Sequence, residues 1–220
     1  SLFKVDKEKK GTLIFTSNMG NVIYFGFPIL QTIFGQEHFI LGVIYATVVI
    51  TIGDLLGFYL VGLNNRSEEN DFKAVCVSFI KNPIVVSALV GFAALFTGIN
   101  LPQFLAQSLN TLSKTTTGLA LFSLGIYLYG KLDLSNLKLN IFSACYKLII
   151  IPLLMFFVFY FVFGLKGQIA ETSVIMAAMP TAAFTLIAAD MFNLDKKLAS
   201  NVILFSSIMF LLTSYIWIFV

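Results

Sequence analysis

Long runs of apolar residues, separated by short polar stretches, make up most of this 220-residue chain. A helix needs roughly 20 mostly apolar residues to cross a bilayer, and this criterion predicts seven membrane spans. The longest polar connection, at about 64–78, is rich in charged residues and is expected to be a solvated loop. The predicted spans run from Thr12 to Phe34, Phe39 to Leu63, Phe79 to Thr97, Phe104 to Tyr129, Leu139 to Phe163, Ile169 to Phe192 and Leu198 to Phe219.

The sixth span is interrupted near its middle by Pro180 and Thr181, with small residues on either side. Proline removes a backbone donor and clashes with the carbonyl group four residues earlier, so the helix should break here. Backbone groups that are freed inside a membrane need partners in protein or in a water-filled cavity. We therefore expect this break to line a site.

The first span carries a similar interruption at Gly20 and Asn21, preceded by Asn18, about 160 residues before the break in the sixth span. Paired interrupted helices in corresponding halves of a chain indicate the binding site of a secondary transporter. The alternative is that glycine and proline merely kink two membrane helices. On the first interpretation, half-helix N-termini and polar side chains would hold an anion. The expected substrate-binding residues are Asn18, Gly20, Asn21, Pro180 and Thr181.

Polar residues are also frequent in the first half of the fourth span, where Gln107, Ser108 and Asn110 follow one another closely. This pattern allows the span to be either one helix or two pieces. Only the second half, from Thr117 to Tyr129, is continuously apolar.

Composition places the chain among polytopic membrane proteins. Hydrophobic residues make up 58% and charged residues 11%, whereas about a quarter of the residues in soluble proteins are charged. No nucleophile elbow, phosphate-binding loop or zinc-protease helix motif occurs, and Cys76 and Cys145 lack metal-ligand spacing. We expect neither enzymatic activity, nor a metal or cofactor, nor a nucleic-acid partner.

Two charged residues fall inside predicted spans. Asp54 lies in the second span and is a candidate for proton or ion coupling, or for a polar packing cluster. Lys147 lies about eight residues inside the fifth span; it could attract an anion, but we favour snorkelling of its ammonium group to the inner interface. His38 is expected to be a loop residue.

Lysine and arginine are concentrated at one set of span ends, including Lys4–Lys10, Arg66, Lys131 and Lys196, and nearly absent from the opposite set. Membrane orientation follows this local bias. We therefore expect a multi-pass protein of the cytoplasmic membrane, with the N-terminus of the chain inside and its C-terminus outside.

Short motifs occur in an order and spacing that resemble the auxin efflux carrier family, which includes plant PIN-type exporters and prokaryotic carriers assigned to malonate and other organic anions. They extend over nearly the whole chain. These motifs are Asn18-Met19-Gly20-Asn21, Gly26-Phe27-Pro28, Phe34-Gly35, Lys81-Asn82-Pro83, Leu101-Pro102, Ser123-Leu124-Gly125 and Met179-Pro180.

The resemblance implies an all-α fold of two inverted five-helix repeats, related to bile acid:sodium symporters, with seven of its ten helices in this chain. Residues 1–63 would end the first repeat, 64–78 would be a cytoplasmic loop, and 79–220 would form the second repeat. The first and sixth spans would cross at their breaks. Gly20 takes the place of the first crossover proline, Asn21 that of the crossover asparagine, and Pro180 is the second crossover proline.

In function, the resemblance implies a secondary carrier for a small organic anion, such as a mono- or dicarboxylate or an auxin-like acid, that works by elevator-type alternating access. The coupling ion is left open between H⁺ and Na⁺. The alternatives are a sodium-coupled symporter like the bile acid relatives and a membrane receptor that binds without transport. The expected partners are the anion and the lipid bilayer, with a homodimer as one option for assembly.

Overall fold

Helices account for the regular structure of the described part of this chain. The computed structural model describes residues 6–53, 56–57, 59–61, 83–129 and 136–219, so the expected loop at 64–78 lies outside the described residues. The helices are α1 (Lys7–Asn18), α2 (Val22–Phe34), α3 (Gln36–Gly53), α4 (Pro83–Thr97), α5 (Gln103–Leu128), α6 (Leu137–Val162), α7 (Gln168–Ala177), α8 (Phe184–Met191) and α9 (Lys196–Ile218).

Both predicted interruptions are confirmed as breaks between helices. In the first span, α1 ends at Asn18 and α2 begins at Val22. In the sixth, α7 ends at Ala177 and α8 begins at Phe184. By contrast, α3, α6 and α9 run without a break and are long and apolar enough to cross a membrane. The expectation of an all-α membrane protein is therefore confirmed.

The fourth span is one continuous helix, α5, of 26 residues. Its hydroxyl side chains bond to the backbone of their own helix. Ser108 Oγ donates to the carbonyl of Phe104 at 2.8 Å, and Thr111 Oγ1 donates to that of Gln107 at 2.9 Å. Such local bonds satisfy the polar side chains without removing a backbone bond from the helix, so the cluster of polar residues does not divide it.

Helix α9 is the centre of the packing, because it contacts α1, α6, α7 and α8. Two apolar clusters include residues at the breaks. One contains Phe15, Met19 and Phe192. The other contains Met179 and Phe210. Asn21 and Thr181 are buried as well, so the two breaks meet in the interior.

His38 lies in a helix, so the expectation of a loop residue is wrong. Gly35 adopts a left-handed conformation, with φ of 87°, which glycine tolerates because it has no Cβ. The chain therefore turns within one residue, and α3 begins at Gln36. His38 is buried on α3, with its Nε2 3.2 Å from Oε2 of Glu171 on α7.

Pro152 removes a backbone hydrogen bond from α6. It has no N–H to donate to the carbonyl of Leu148, four residues earlier. The indole of Trp217 on α9 supplies a replacement. Its Nε1–H donates to the Leu148 carbonyl at 2.8 Å, and both side chains are buried. This bond ties the middle of α6 to the end of α9.

We expect Trp217→Phe to lower the free energy of unfolding by about 1–3 kcal/mol, because it leaves the buried Leu148 carbonyl without this donor. Thermal unfolding of the detergent-solubilised protein measures the effect as a lower Tm. Tyr215→Phe is the matched control, since it removes a hydroxyl from the exposed face of the same helix. Equal Tm values for the two variants would contradict the assignment.

Candidate substrate site

The two breaks meet in the interior and pair with each other through the backbone. Gly20 and Thr181 lie side by side in an antiparallel bridge. The N–H of Asn21 donates to the carbonyl of Pro180 at 2.7 Å, and the N–H of Ala182 donates to that of Met19 at 2.9 Å. Backbone groups that lack a partner where one span is broken thus bond to backbone groups at the break of the other span. We call this contact, formed by 19–21 and 180–182, the crossing.

Thr181 fixes the crossing to its surroundings. Its Oγ1 donates to the carbonyl of Thr16 at 2.9 Å, and its backbone N–H donates to Oγ of Ser206 at 3.1 Å. The Thr16 carbonyl is one of the last in α1, which have no partner within their own helix. Thr181 and Ser206 are fully buried. The hydroxyl of Thr181 is therefore used in holding α1, and Ser206 connects the crossing to α9.

The two polar atoms of the Asn21 side chain differ in their hydrogen bonding. Its Oδ1 accepts from the backbone N–H of Tyr24 at 3.2 Å and thereby caps α2. Its Nδ2 is buried and has no hydrogen-bond acceptor among the described residues. A buried donor without a partner is costly, so an amide left in this state at a break in a membrane helix indicates a place where a ligand or water binds.

A cavity of about 190 Å³ opens beside the crossing. Asn18 and Gly20 line it, whereas Asn21, Pro180 and Thr181 do not. Asn18 Nδ2 also donates to the carbonyl of Gly53 at 2.7 Å, which links the end of α1 to α3. One end of the cavity is polar and the rest is mainly apolar. The lining residues are Ser17, Asn18, Gly20 and Lys147 at the polar end, with Val22, Tyr45, Val49, Gly53, Ile151, Met155 and Met176 around the remainder.

Lys147 belongs to this site, so the expectation that its side chain snorkels is wrong. It is only 3% exposed, and its Nζ donates to the carbonyl of Ala177, the last residue of α7, at 2.9 Å. The side chain can reach the crossing because Gly20 leaves space: a Cβ at Gly20 would lie 3.0 Å from Nζ. Lys147 lies in a π-helical turn, Tyr146–Ile150, a feature that is frequent at functional sites.

The predicted site residues are thus brought together in two layers. Asn18 and Gly20 face the cavity, while Asn21, Pro180 and Thr181 form the crossing behind it. Whether they bind substrate stays a prediction. Asp54, the candidate for ion coupling, lies outside the described residues. The only sequence signal for Lys147 was its depth inside a span.

The polar groups at the crossing are amides, hydroxyls, backbone carbonyls and one ammonium group. The ammonium and amide N–H groups are hydrogen-bond donors, and no carboxylate occurs among the described residues that line the cavity. Helices α2 and α8 also begin at the two breaks, and a helix N-terminus carries partial positive charge. This arrangement suits a small anion with an apolar body.

The family model described as "Membrane transport protein" matches residues 1–218. An uncharacterized transporter of Methanocaldococcus jannaschii is 29% identical over 98% of this chain and 70% of its own length. An uncharacterized transporter of Escherichia coli is 24% identical over 90% of this chain and 63% of its own length.

Auxin efflux carrier component 1 of Arabidopsis thaliana is 27% identical over 57% of this chain and 21% of its own length. These matches agree with the resemblance that the short motifs indicated. The relatives are described as transporters or carriers. The chain belongs to the membrane transport protein family that includes the auxin efflux carriers.

Proposed function

We propose that this protein is a secondary active transporter of a small organic anion, such as a mono- or dicarboxylate or an auxin-like acid. The observation that carries the proposal is the crossing itself, where two broken membrane helices pair at their breaks beside a cavity with a polar end. Secondary transporters bind substrate near the bilayer midplane, where discontinuous helices present their ends to it. Membership of a transport family supports the same function.

The anion would lie in the cavity with its charged group at the polar end. There it can receive hydrogen bonds from Asn18 and from the ammonium group of Lys147, which both line the cavity. Its apolar body would contact side chains such as Ile151 and Met176. The volume of about 190 Å³ lies below the roughly 300–1,000 Å³ of pockets for drug-sized ligands, which favours a small acid.

Transport would proceed by alternating access, with the helices of the crossing moving as a group against the rest of the protein. Moving a monoanion through a membrane potential of 100 mV involves about 2.3 kcal/mol, so the potential alone can drive substantial accumulation. An ion gradient could drive transport in addition to the potential, either by proton coupling through Asp54 or by sodium coupling. The protein would act in the cytoplasmic membrane, with Lys7–Asn18 entering from the inside.

We expect proteoliposomes that contain the protein to accumulate labelled malonate or indole-3-acetate when an inside-positive membrane potential or a coupling-ion gradient is imposed. Uptake is measured with and without a pH gradient and with sodium replaced by choline, which separates the two coupling ions. Protein-free liposomes are the control. Saturable binding of these acids without any accumulation would contradict the carrier and favour a receptor.

We expect Asn21→Ser to weaken binding of the transported acid by roughly tenfold while leaving Tm close to that of the wild type. Serine keeps an oxygen that can cap α2 but removes the unpartnered amide. Because Asn21 lies in the crossing behind the cavity, its amide would reach the acid through a bridging water, and a lost hydrogen bond of this kind is worth about 0.5–1.5 kcal/mol, or up to roughly tenfold in affinity. Asn21→Ala should lose the cap as well and lower the free energy of unfolding by about 0.5–2 kcal/mol.

Asn110→Ala is the matched control for these variants, because Asn110 is exposed on α5 and belongs neither to the crossing nor to the lining of the cavity. Thermal unfolding and equilibrium binding are measured on the same preparations. Unchanged acid affinity in Asn21→Ser would show that the amide does not take part in binding.

A further inference from the structure

Lys147 carries a charge in the interior with little to balance it. The residue is 3% exposed and, in the part of the chain that the structure describes, its ammonium group bonds to one backbone carbonyl and to no carboxylate. A buried charge is expensive unless it is paired and hydrogen-bonded. An ammonium group has three donors, so two of them remain for another partner. The cavity is where such a partner can enter.

The bond from Lys147 to the Ala177 carbonyl places its charge at the C-terminus of a half-helix. This carbonyl ends α7 just before the break. C-terminal carbonyls carry partial negative charge and attract cations. The contact holds Nζ at the wall of the cavity.

Gly20 is matched to this lysine. A Cβ at position 20 would lie 3.0 Å from Nζ and 3.3 Å from Cε of Lys147, so the end of the lysine would have to move by a few tenths of an ångström to make room for it. The glycine therefore lets the ammonium group lie directly against the backbone of the crossing.

We propose that Lys147 is the residue that binds the carboxylate of the transported anion, and that Gly20 is present in order to give its ammonium group access to the cavity. The proposal rests on the proposed function. The carboxylate receives the two donors that the Ala177 carbonyl leaves unused, and its charge balances that of the lysine. Loading the site then pairs a buried ammonium group that bonds to no carboxylate among the described residues.

The test compares acids with uncharged amides of the same shape. Equilibrium binding of indole-3-acetate, indole-3-acetamide, malonate and malonamide is measured on wild type and on Lys147→Met. We expect the wild type to prefer an acid over its amide. Lys147→Met should weaken acid binding roughly ten- to hundredfold, which corresponds to one charge-assisted hydrogen bond, and leave amide binding within about twofold. A purely structural role would weaken both ligands alike.

Lys138→Met is the matched control, because it removes the same charge from the exposed beginning of α6. It should leave both affinities unchanged. Gly20→Ala tests the same contact from the other side. Its added Cβ should displace Nζ of Lys147 and lower acid affinity several-fold. The double variant Gly20→Ala, Lys147→Met should bind acid no worse than Lys147→Met alone, because both changes act through one group.

The outcomes separate this proposal from the function on which it rests. If the wild type neither binds nor accumulates any of the acids, the proposed function fails. If the wild type transports an acid and Lys147→Met binds it equally well, the carrier stands and the role of Lys147 is overturned. Size-exclusion chromatography monitors folding. Should Lys147→Met fail to fold, unchanged acid affinity in Gly20→Ala overturns the proposal, and a selective loss supports it.

Discussion

Two backbone hydrogen bonds between 19–21 and 180–182 are the constraint on which the remaining structure depends. An unsatisfied backbone group in hydrocarbon costs several kcal/mol, so a membrane helix can stop in the bilayer only where protein or water replaces its lost bonds. Here each break supplies the partner of the other. This mutual bonding requires the two breaks to lie side by side, and Gly20 accordingly meets Thr181.

The residues around the crossing follow from this requirement. Small side chains allow the two backbones to approach, and the hydroxyl of Thr181 serves the open end of α1. What remains is a region rich in donors, with the ammonium group of Lys147 and the amide of Asn21 both short of acceptors in the described structure. The anion that we propose would supply acceptors to these donors, so the proposed transport would use the same groups that the breaks bring together.

The sequence predicts the breaks well, because proline and glycine act on the backbone where they stand. It predicts the location of Lys147 poorly, since a lysine eight residues inside a span can either snorkel or remain buried. In the structure its ammonium group bonds to the Ala177 carbonyl and lies against Gly20, which is more than a hundred residues away in sequence. His38 is a similar case, because a single left-handed residue at Gly35 moves it from the expected loop into a helix.

The mutual bonding at the crossing also limits how the molecule can change shape. The segments that follow α1 and α7 exchange two backbone bonds, so moving one segment against the other would break them. The contacts of Thr181 with Thr16 and Ser206 link α9 to the same segments. The transport motion that we propose would therefore keep these contacts, and the bond from Lys147 to Ala177, intact.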